Sequence, residues 1–233
     1  MGRFSIVLVL AAAFASVSLA AAPADTKTPR TKRDAASAWT EAGLEKVQVK
    51  GLDLVYAQPG ASLAGYRKIL LRPISVAFER NWERQSTSSS RIPIKSKDAQ
   101  RIKDRLSALV HEEVVKELGQ AGYQVVDAAG DDVLDVEMSI VNLDVNAPDV
   151  PTAGRVTTFA VSAGEMSLVA ELRDSVSGDI VMRIFDRAQA RESFRPQRIT
   201  SIENAAEARN AANGWAKALR KELDLAKGIG SKP

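Results

Sequence analysis

The most regular alternation of apolar and polar residues lies between residues 164 and 191. Two runs there repeat with the period of two that marks a strand with one buried face. The apolar positions are Met166, Leu168, Ala170 and Leu172 in the first run and Ile180, Met182 and Ile184 in the second. Both sets share one face only if an odd number of residues separates the strands. The pattern therefore predicts a β-hairpin closed by a three-residue loop, 176–178, with Gly178 at positive φ.

The predicted register assigns the remaining side chains to faces. Glu171 lies opposite Arg183 as an exposed cross-strand ion pair, and Val169 lies opposite Phe185. Asp186 falls opposite Leu168 on the inner face, which indicates a strand end, a bulge or a buried carboxylate held by a neighbour. The outer face carries Glu165, Val169, Glu171, Arg173, Arg183, Phe185 and Arg187.

Two long amphipathic helices are predicted outside the hairpin. The first runs from Ser96 to Ala121, with Gly122 just past its end. Its apolar stripe comprises Ala99, Ile102, Leu106, Val110, Val114 and Leu118. The second begins at a capping box, residues 200–203, and stops before Gly228.

Further strands are predicted at residues 52–57, 68–78, 123–127, 134–145 and 155–161. Pro73 demands an edge position or a bulge in the second of these, and a change of apolar phase after Ile140 predicts a bulge in the fourth. These elements predict an α+β fold: a two-layer sandwich with a mostly antiparallel sheet of five to six strands and two long helices on one face.

The ends of the chain differ in composition from its middle. Residues 1–20 have one basic residue, a short apolar run and small residues before Ala20, which is typical of a cleaved secretory signal rather than a retained anchor. Residues 21–50 are expected to form a flexible tail, in which Trp39 packs on the domain or touches a partner. A single domain is predicted over residues 51–228, followed by a short tail, 229–233.

Composition narrows the classes of partner. The chain has no cysteine, so it has neither a disulfide nor a lipid-bearing cysteine after the signal, and no transmembrane anchor is expected once the signal is cleaved. Hydrophobic residues make up 45%, enough for a core, and the formal charge of +3 falls to +2 without Arg3. Such a small surplus, in an exported protein, makes nucleic acid an unfavoured partner.

Residues suited to chemistry are sparse. The single histidine, His111, lies on the polar side of its helix, so a histidine-based catalytic or metal site has little support. Residues 60–64 miss the nucleophile-elbow pattern at Ala64, and the aspartates near residue 131 lack the spacing of a calcium loop. We expect no catalytic residues, no metal and no cofactor. Trp82, between two arginines, is a candidate contact residue or a core residue.

Several segments together resemble a family of bacterial envelope proteins known only as domain of unknown function 3313, whose members often carry lipoprotein signals. They are GLDLVYAQPG, GYRKILLRPISVAF, ELGQAGYQVV, the hairpin and NAANGWAKALRKELD, within residues 51–226. The absent lipid-bearing cysteine departs from many relatives and argues against attachment through lipid. The order of elements is also similar to modules related to the amino-terminal domain of the translocation protein TolB and to curli-secretion lipoproteins, an analogy of fold alone.

Three hypotheses of function follow. The first is a non-catalytic periplasmic binding or assembly module that uses the free outer face of the sheet, with another envelope protein or a cell-wall component as its partner. The second is a hydrolase of envelope polymers that uses carboxylates such as Asp186 or Glu165. The third is a small-molecule carrier, which an apolar cavity between helices and sheet would favour.

Overall fold

The computed structural model describes residues 28–80, 82, 96–144, 166–188 and 201–228, without the side chains of residues 98, 201–205 and 207. Three helices have their bounds within the described ranges: α1 (Lys32–Glu41), α2 (Ser96–Gln120) and α3 (Ser201–Ala226). The eight strands are β1 (Glu45–Val47), β2 (Leu54–Ala57), β3 (Lys68–Leu71), β4 (Ser75–Phe78), β5 (Gln124–Val125), β6 (Val133–Leu143), β7 (Met166–Asp174) and β8 (Ile180–Ala188). The α+β class is confirmed.

One mixed sheet contains all eight strands in the order β1-β2-β8-β7-β6-β3-β5, with β4 also paired to β6. In this spatial order, the neighbouring strands β1, β2, β8, β7 and β6 pair antiparallel. Strand β6 pairs in parallel with β3 and with β4, and β3 pairs in parallel with β5. The predicted five to six strands were therefore too few, and the short helix α1 was not predicted. The parallel pairs arise because α2 carries the chain back across the sheet between β4 and β5.

Proline divides one predicted strand. The segment 68–78 forms two strands, β3 and β4, on either side of Pro73, which has no N–H to donate to the ladder. Arg72 still donates its backbone N–H to the carbonyl of Val136 at 2.9 Å. Both strands therefore lie along the same neighbour, β6.

The hairpin register is confirmed from Leu172 outward: Leu172 pairs with Met182, and Glu171 with Arg183. The predicted three-residue loop is wrong, because the register shifts by one at the next pair. The backbone N–H of Asp174 donates to the carbonyl of Asp179, so four residues, 175–178, form the turn. An even loop length alone would shift the register by one residue, but an extra residue in β8 restores the predicted pairing from Leu172 outward. Gly178 has the predicted positive φ, +77°.

A bulge also lies in β6, close to the predicted phase change. Val76 pairs with Ile140 but Phe78 pairs with Leu143, so β6 has one residue more than its partner in this interval. Asn142 lies at φ 55° and donates its side-chain N–H to the carbonyl of Arg30. The bulge returns Leu143 to the inner core.

The main core lies between the inner face of the sheet and the two long helices. The six predicted stripe residues of α2 are all buried, as are Ala208, Ala212, Trp215, Leu219 and Leu223 of α3. Buried carboxylates join the helices: Glu113 pairs with Arg209 at 3.3 Å, and Glu117 with Arg220 at 3.2 Å. Two long helices on one face of the sheet are thus confirmed.

A third layer lies on the opposite face, where α1 packs. Ala35 and Trp39 of α1 are 0% and 3% exposed, and they form a second core with Leu44, Leu54, Tyr56 and Phe185. The side chain of Thr31 caps the helix by accepting from the backbone N–H of Asp34 at 3.1 Å. The prediction of a flexible tail over residues 21–50 is therefore wrong for α1 and β1, while the expectation that Trp39 packs on the domain is confirmed.

The predicted signal (1–20), the strand at 155–161 and the tail at 229–233 lie outside the described residues. None of the helices in the described ranges has the length and apolar character needed to cross a bilayer.

Candidate functional site

The outer face of the sheet carries a row of polar side chains across five strands. The pairing registers place Glu137 of β6 opposite Glu171 of β7, then Arg183 of β8, Tyr56 of β2 and Lys46 of β1. In a sheet, such directly opposed residues have neighbouring Cβ atoms, and each pair contributes roughly 0.2–1 kcal/mol. The row therefore brings together charges that are far apart in the sequence.

Glu171 is the centre of this row. One carboxylate oxygen accepts from Arg183 and the other pairs with Arg173, two residues along the same strand. The predicted Glu171–Arg183 pair is confirmed, but its exposure is wrong, because Arg183 is 8% exposed. The burial of Arg183 makes the pair a structural part of the sheet, since a buried arginine without its carboxylate would be costly.

Phe185 and Val169 also differ from the prediction of an open face. Phe185 is 3% exposed, in the second core beneath α1, and Val169 packs against the same cluster. Tyr56 meets Trp39 edge-to-face, with ring centroids 5.8 Å apart. Helix α1 therefore covers this part of the outer face, which is not free to bind.

The part of the outer face beyond α1 is charged, and we call it the charged strip: Arg72, Asp135, Glu137, Glu171 and Arg173. Arg72 makes a two-pronged pair with Asp135, at 2.9 Å from Nε to Oδ1 and 2.7 Å from Nη2 to Oδ2. These hydrogen bonds raise the pKa of Arg72. Glu137 is exposed and lies directly opposite Glu171, whose own charge is balanced by Arg183 and Arg173.

Asp186 is a structural carboxylate. Its oxygens accept from the backbone N–H of Asp53 at 2.9 Å and from the indole N–H of Trp215 at 2.8 Å. Burial raises the pKa of the Asp186 carboxyl above its ordinary value, against the effect of these two hydrogen bonds. Of the three predicted alternatives, the one observed is a carboxylate held by its neighbours, where it joins β8, α3 and the start of β2.

The other two predicted contact residues lie apart. Trp82 is 2% exposed in the main core and stacks on Phe78 with ring centroids 3.9 Å apart, so it is a core residue rather than an open contact. Arg187 is exposed near the end of β8, opposite Ser167. Of the predicted site residues, the structure thus brings together Glu171, Arg173 and Arg183 as a charged group, while Val169 and Phe185 lie together beneath α1. Glu165 lies outside the described residues.

The sequence reasoning missed three members of the charged strip. Asp135 and Glu137 alternate with buried residues along β6, so the period of two already indicated their face. Arg72 had no comparable signal, because it follows the end of β3 beside Pro73. Only the register of β3 against β6 brings it to Asp135.

Other kinds of site have little support in the described ranges. No group of three or more metal-ligating side chains occurs there, and His111 is exposed on α2 as expected. The cavity between helices and sheet has a volume of about 20 Å³, lined by Val114, Leu168 and Trp215 among other apolar residues. It has room for about one water molecule, whereas small-molecule sites measure roughly 300–1,000 Å³.

A family model described as "Protein of unknown function (DUF3313)" matches residues 39–219. The chain belongs to this family. The match confirms the resemblance and begins at Trp39, within α1, which shows that the family unit includes part of the segment expected to be a tail. No curated protein matches the chain.

Solved structures match over most of the chain at low identity. A PelC dodecamer from Paraburkholderia phytofirmans has 10% identity and a TM-score of 0.31, covering 73% of this chain and 95% of that one. A minor lipoprotein from Acinetobacter baumannii has 10% identity and a TM-score of 0.33, with coverages of 70% and 94%. A protein from Xanthomonas campestris has 12% identity and a TM-score of 0.38, with coverages of 76% and 94%.

Proposed function

We propose that the protein is a non-catalytic module of the bacterial cell envelope, exported to the periplasm, that binds another envelope protein through the charged strip. The signal-like residues 1–20 support the location. The observation that carries the proposal is the exposed Glu137, which lies opposite Glu171 on the strip that also contains Arg72 and Arg173.

Both oxygens of Glu171 are engaged by arginines, so Glu137 is the carboxylate of this pair that is left for a partner. A basic side chain from a partner would pair with the exposed Glu137. Arg173 is 32% exposed and Arg72 48% exposed, so both keep donors near solvent for acidic groups of the same partner. Charges of both signs on one rigid surface favour a folded protein as partner over a uniformly charged polymer.

The test is photo-crosslinking in cells from position 137. A crosslinker placed instead at position 111, exposed on α2, serves as the matched control. We expect one envelope protein to be trapped from position 137 and not from position 111. Arg173→Glu should abolish this crosslink, whereas Arg33→Glu, on the exposed side of α1, should leave it intact. The same species from both positions, or a crosslink insensitive to Arg173→Glu, would refute the proposed surface.

The alternative hydrolase is tested with the same purified chain. Asp186 is already engaged by Asp53 and Trp215, which supports a role in packing instead of catalysis. Turnover of cell-wall or glycan polymers that Asp186→Asn abolishes, with the fold retained, would replace the binding module by an enzyme.

A further inference from the structure

A groove outside the charged strip lies where α2 and α3 end beside the connection between β2 and β3. Its volume is about 600 Å³, and it shares no residue with the charged strip. Ala64, Ala121 and Gly122 form small, low walls, while the polar groups come from Arg67, Tyr123, Asp224 and Lys227. This volume lies in the range of small-molecule sites, roughly 300–1,000 Å³.

Lys227 and Tyr123 form one side of the groove. The ammonium Nζ of Lys227 lies 4.0 Å from the centroid of the Tyr123 ring, which is a favourable cation–π distance. The Tyr123 hydroxyl donates to Oδ1 of Asp224 at 2.8 Å, and this bond fixes the ring. Burial lowers the pKa of Lys227, and the positive charge of Arg67 lowers it further, so the two cations lie close enough to repel each other.

Arg67 is the second cation. Its backbone N–H donates to the carbonyl of Asp132 at 2.9 Å, and this hydrogen bond fixes the position of the Arg67 backbone. The side chain is exposed, and within the described part of the chain its guanidinium makes no ion pair with a carboxylate. A guanidinium with free donors suits a two-pronged contact with a carboxylate or phosphate oxygen pair.

Among the described residues that line the groove, the charges leave a surplus of one positive charge. Arg67 and Lys227 contribute two positive charges and Asp224 one negative charge. Arg220 lies one turn before Asp224, close enough for its charge to oppose the rise that burial causes in the pKa of Tyr123. Its charge is balanced by the buried Glu117, with which it pairs. A ligand with one negative charge balances this surplus, whereas a dianion would also meet the repulsion of Asp224.

We propose that this groove binds a small monoanionic carboxylate, with Arg67 holding the carboxylate oxygens and Lys227 supplying the second positive charge. The alanine walls then contact the apolar part of the ligand, while the buried Tyr123 ring holds Lys227 in place. The site is independent of the protein-binding surface proposed above, so either proposal can fail alone.

The test is an NMR titration of the ¹⁵N-labelled mature chain with N-acetylalanine at constant ionic strength. Inorganic phosphate, a dianion at about pH 8, is the comparison probe. We expect saturable shifts of the Gly122 and Gly228 amides with N-acetylalanine and weaker binding of phosphate. Shifts that do not saturate, or that sodium chloride reproduces, would overturn the proposal.

Two variants sharpen the result. Arg67→Gln should weaken N-acetylalanine binding about tenfold, the effect of losing a charge-assisted hydrogen bond, while Arg33→Gln should not change it. Asp224→Asn keeps an acceptor for the Tyr123 hydroxyl but removes the negative charge, so phosphate should bind more tightly than in the original chain. Equal affinity in Arg67→Gln, or no gain for phosphate in Asp224→Asn, contradicts the assigned roles.

Discussion

Replacement of Trp39 by alanine tests whether α1 is part of the folded domain. Trp39 is 3% exposed and lies against Tyr56 and Phe185 in the second core. A buried tryptophan removes about 200 Å² from water, worth an upper estimate of about 5 kcal/mol at roughly 25 cal/mol per Å². Alanine is the better helix former by about 0.5 kcal/mol. We therefore expect Trp39→Ala to lower the free energy of unfolding by about 3–4 kcal/mol.

The measurement is urea unfolding followed by far-UV circular dichroism, with hydrogen exchange to locate the loss. Arg33→Ala, on the exposed side of the same helix, is the control and should stay within about 0.5 kcal/mol of the original chain. Trp39→Ala should also remove exchange protection from α1 before the rest of the domain. A loss below about 1 kcal/mol, with α1 unprotected in the original chain, would refute the packing argument and restore the flexible tail.

The remaining predictions concern pH dependence and the backbone. Burial raises the pKa of Asp186 in the folded state, so its carboxyl contributes stability at low pH that is lost as the pH rises from 3.8 through the folded value. The free energy of unfolding of Asp186→Asn, relative to the original chain, should therefore increase across this window; a difference independent of pH would contradict the burial. The opposite sign holds for Asp174, whose pKa is lowered chiefly by the N–H of Ser177: its contribution is present above pH 3.8 and is lost as the pH falls through the folded value. Asp174→Asn should thus be most destabilising near neutral pH and least in acid, as urea unfolding at several pH values would show. Gly178→Ala should cost about 1–2 kcal/mol, because alanine is strained at φ +77°. Gly214→Ala, in the exposed interior of α3 with nothing near its added Cβ, should instead stabilise by about 0.5–1 kcal/mol in thermal unfolding.

Local periodicity was sufficient to predict the buried face of an element wherever that face packs against the main core. The stripe of α2 and the alternation in β7 and β8 predicted their buried faces and the register of Glu171 against Arg183. Positive φ at Gly178 followed from the need to turn the chain tightly. Such features depend on residues within a few positions of one another, so they can be predicted from the local sequence.

The identity of the covered and open surfaces depended on contacts between distant segments. Nothing near Phe185 in the sequence shows that Trp39 lies over it, and nothing near Arg72 shows that Asp135 is its partner. The period of two assigns a residue to a face of the sheet but not what lies against that face. The sequence by itself therefore determined the family, the α+β class and the hairpin register from Leu172 outward. Only the tertiary structure decided that α1 buries one end of the outer face and leaves the charged strip open, because burial is a property of the packed whole.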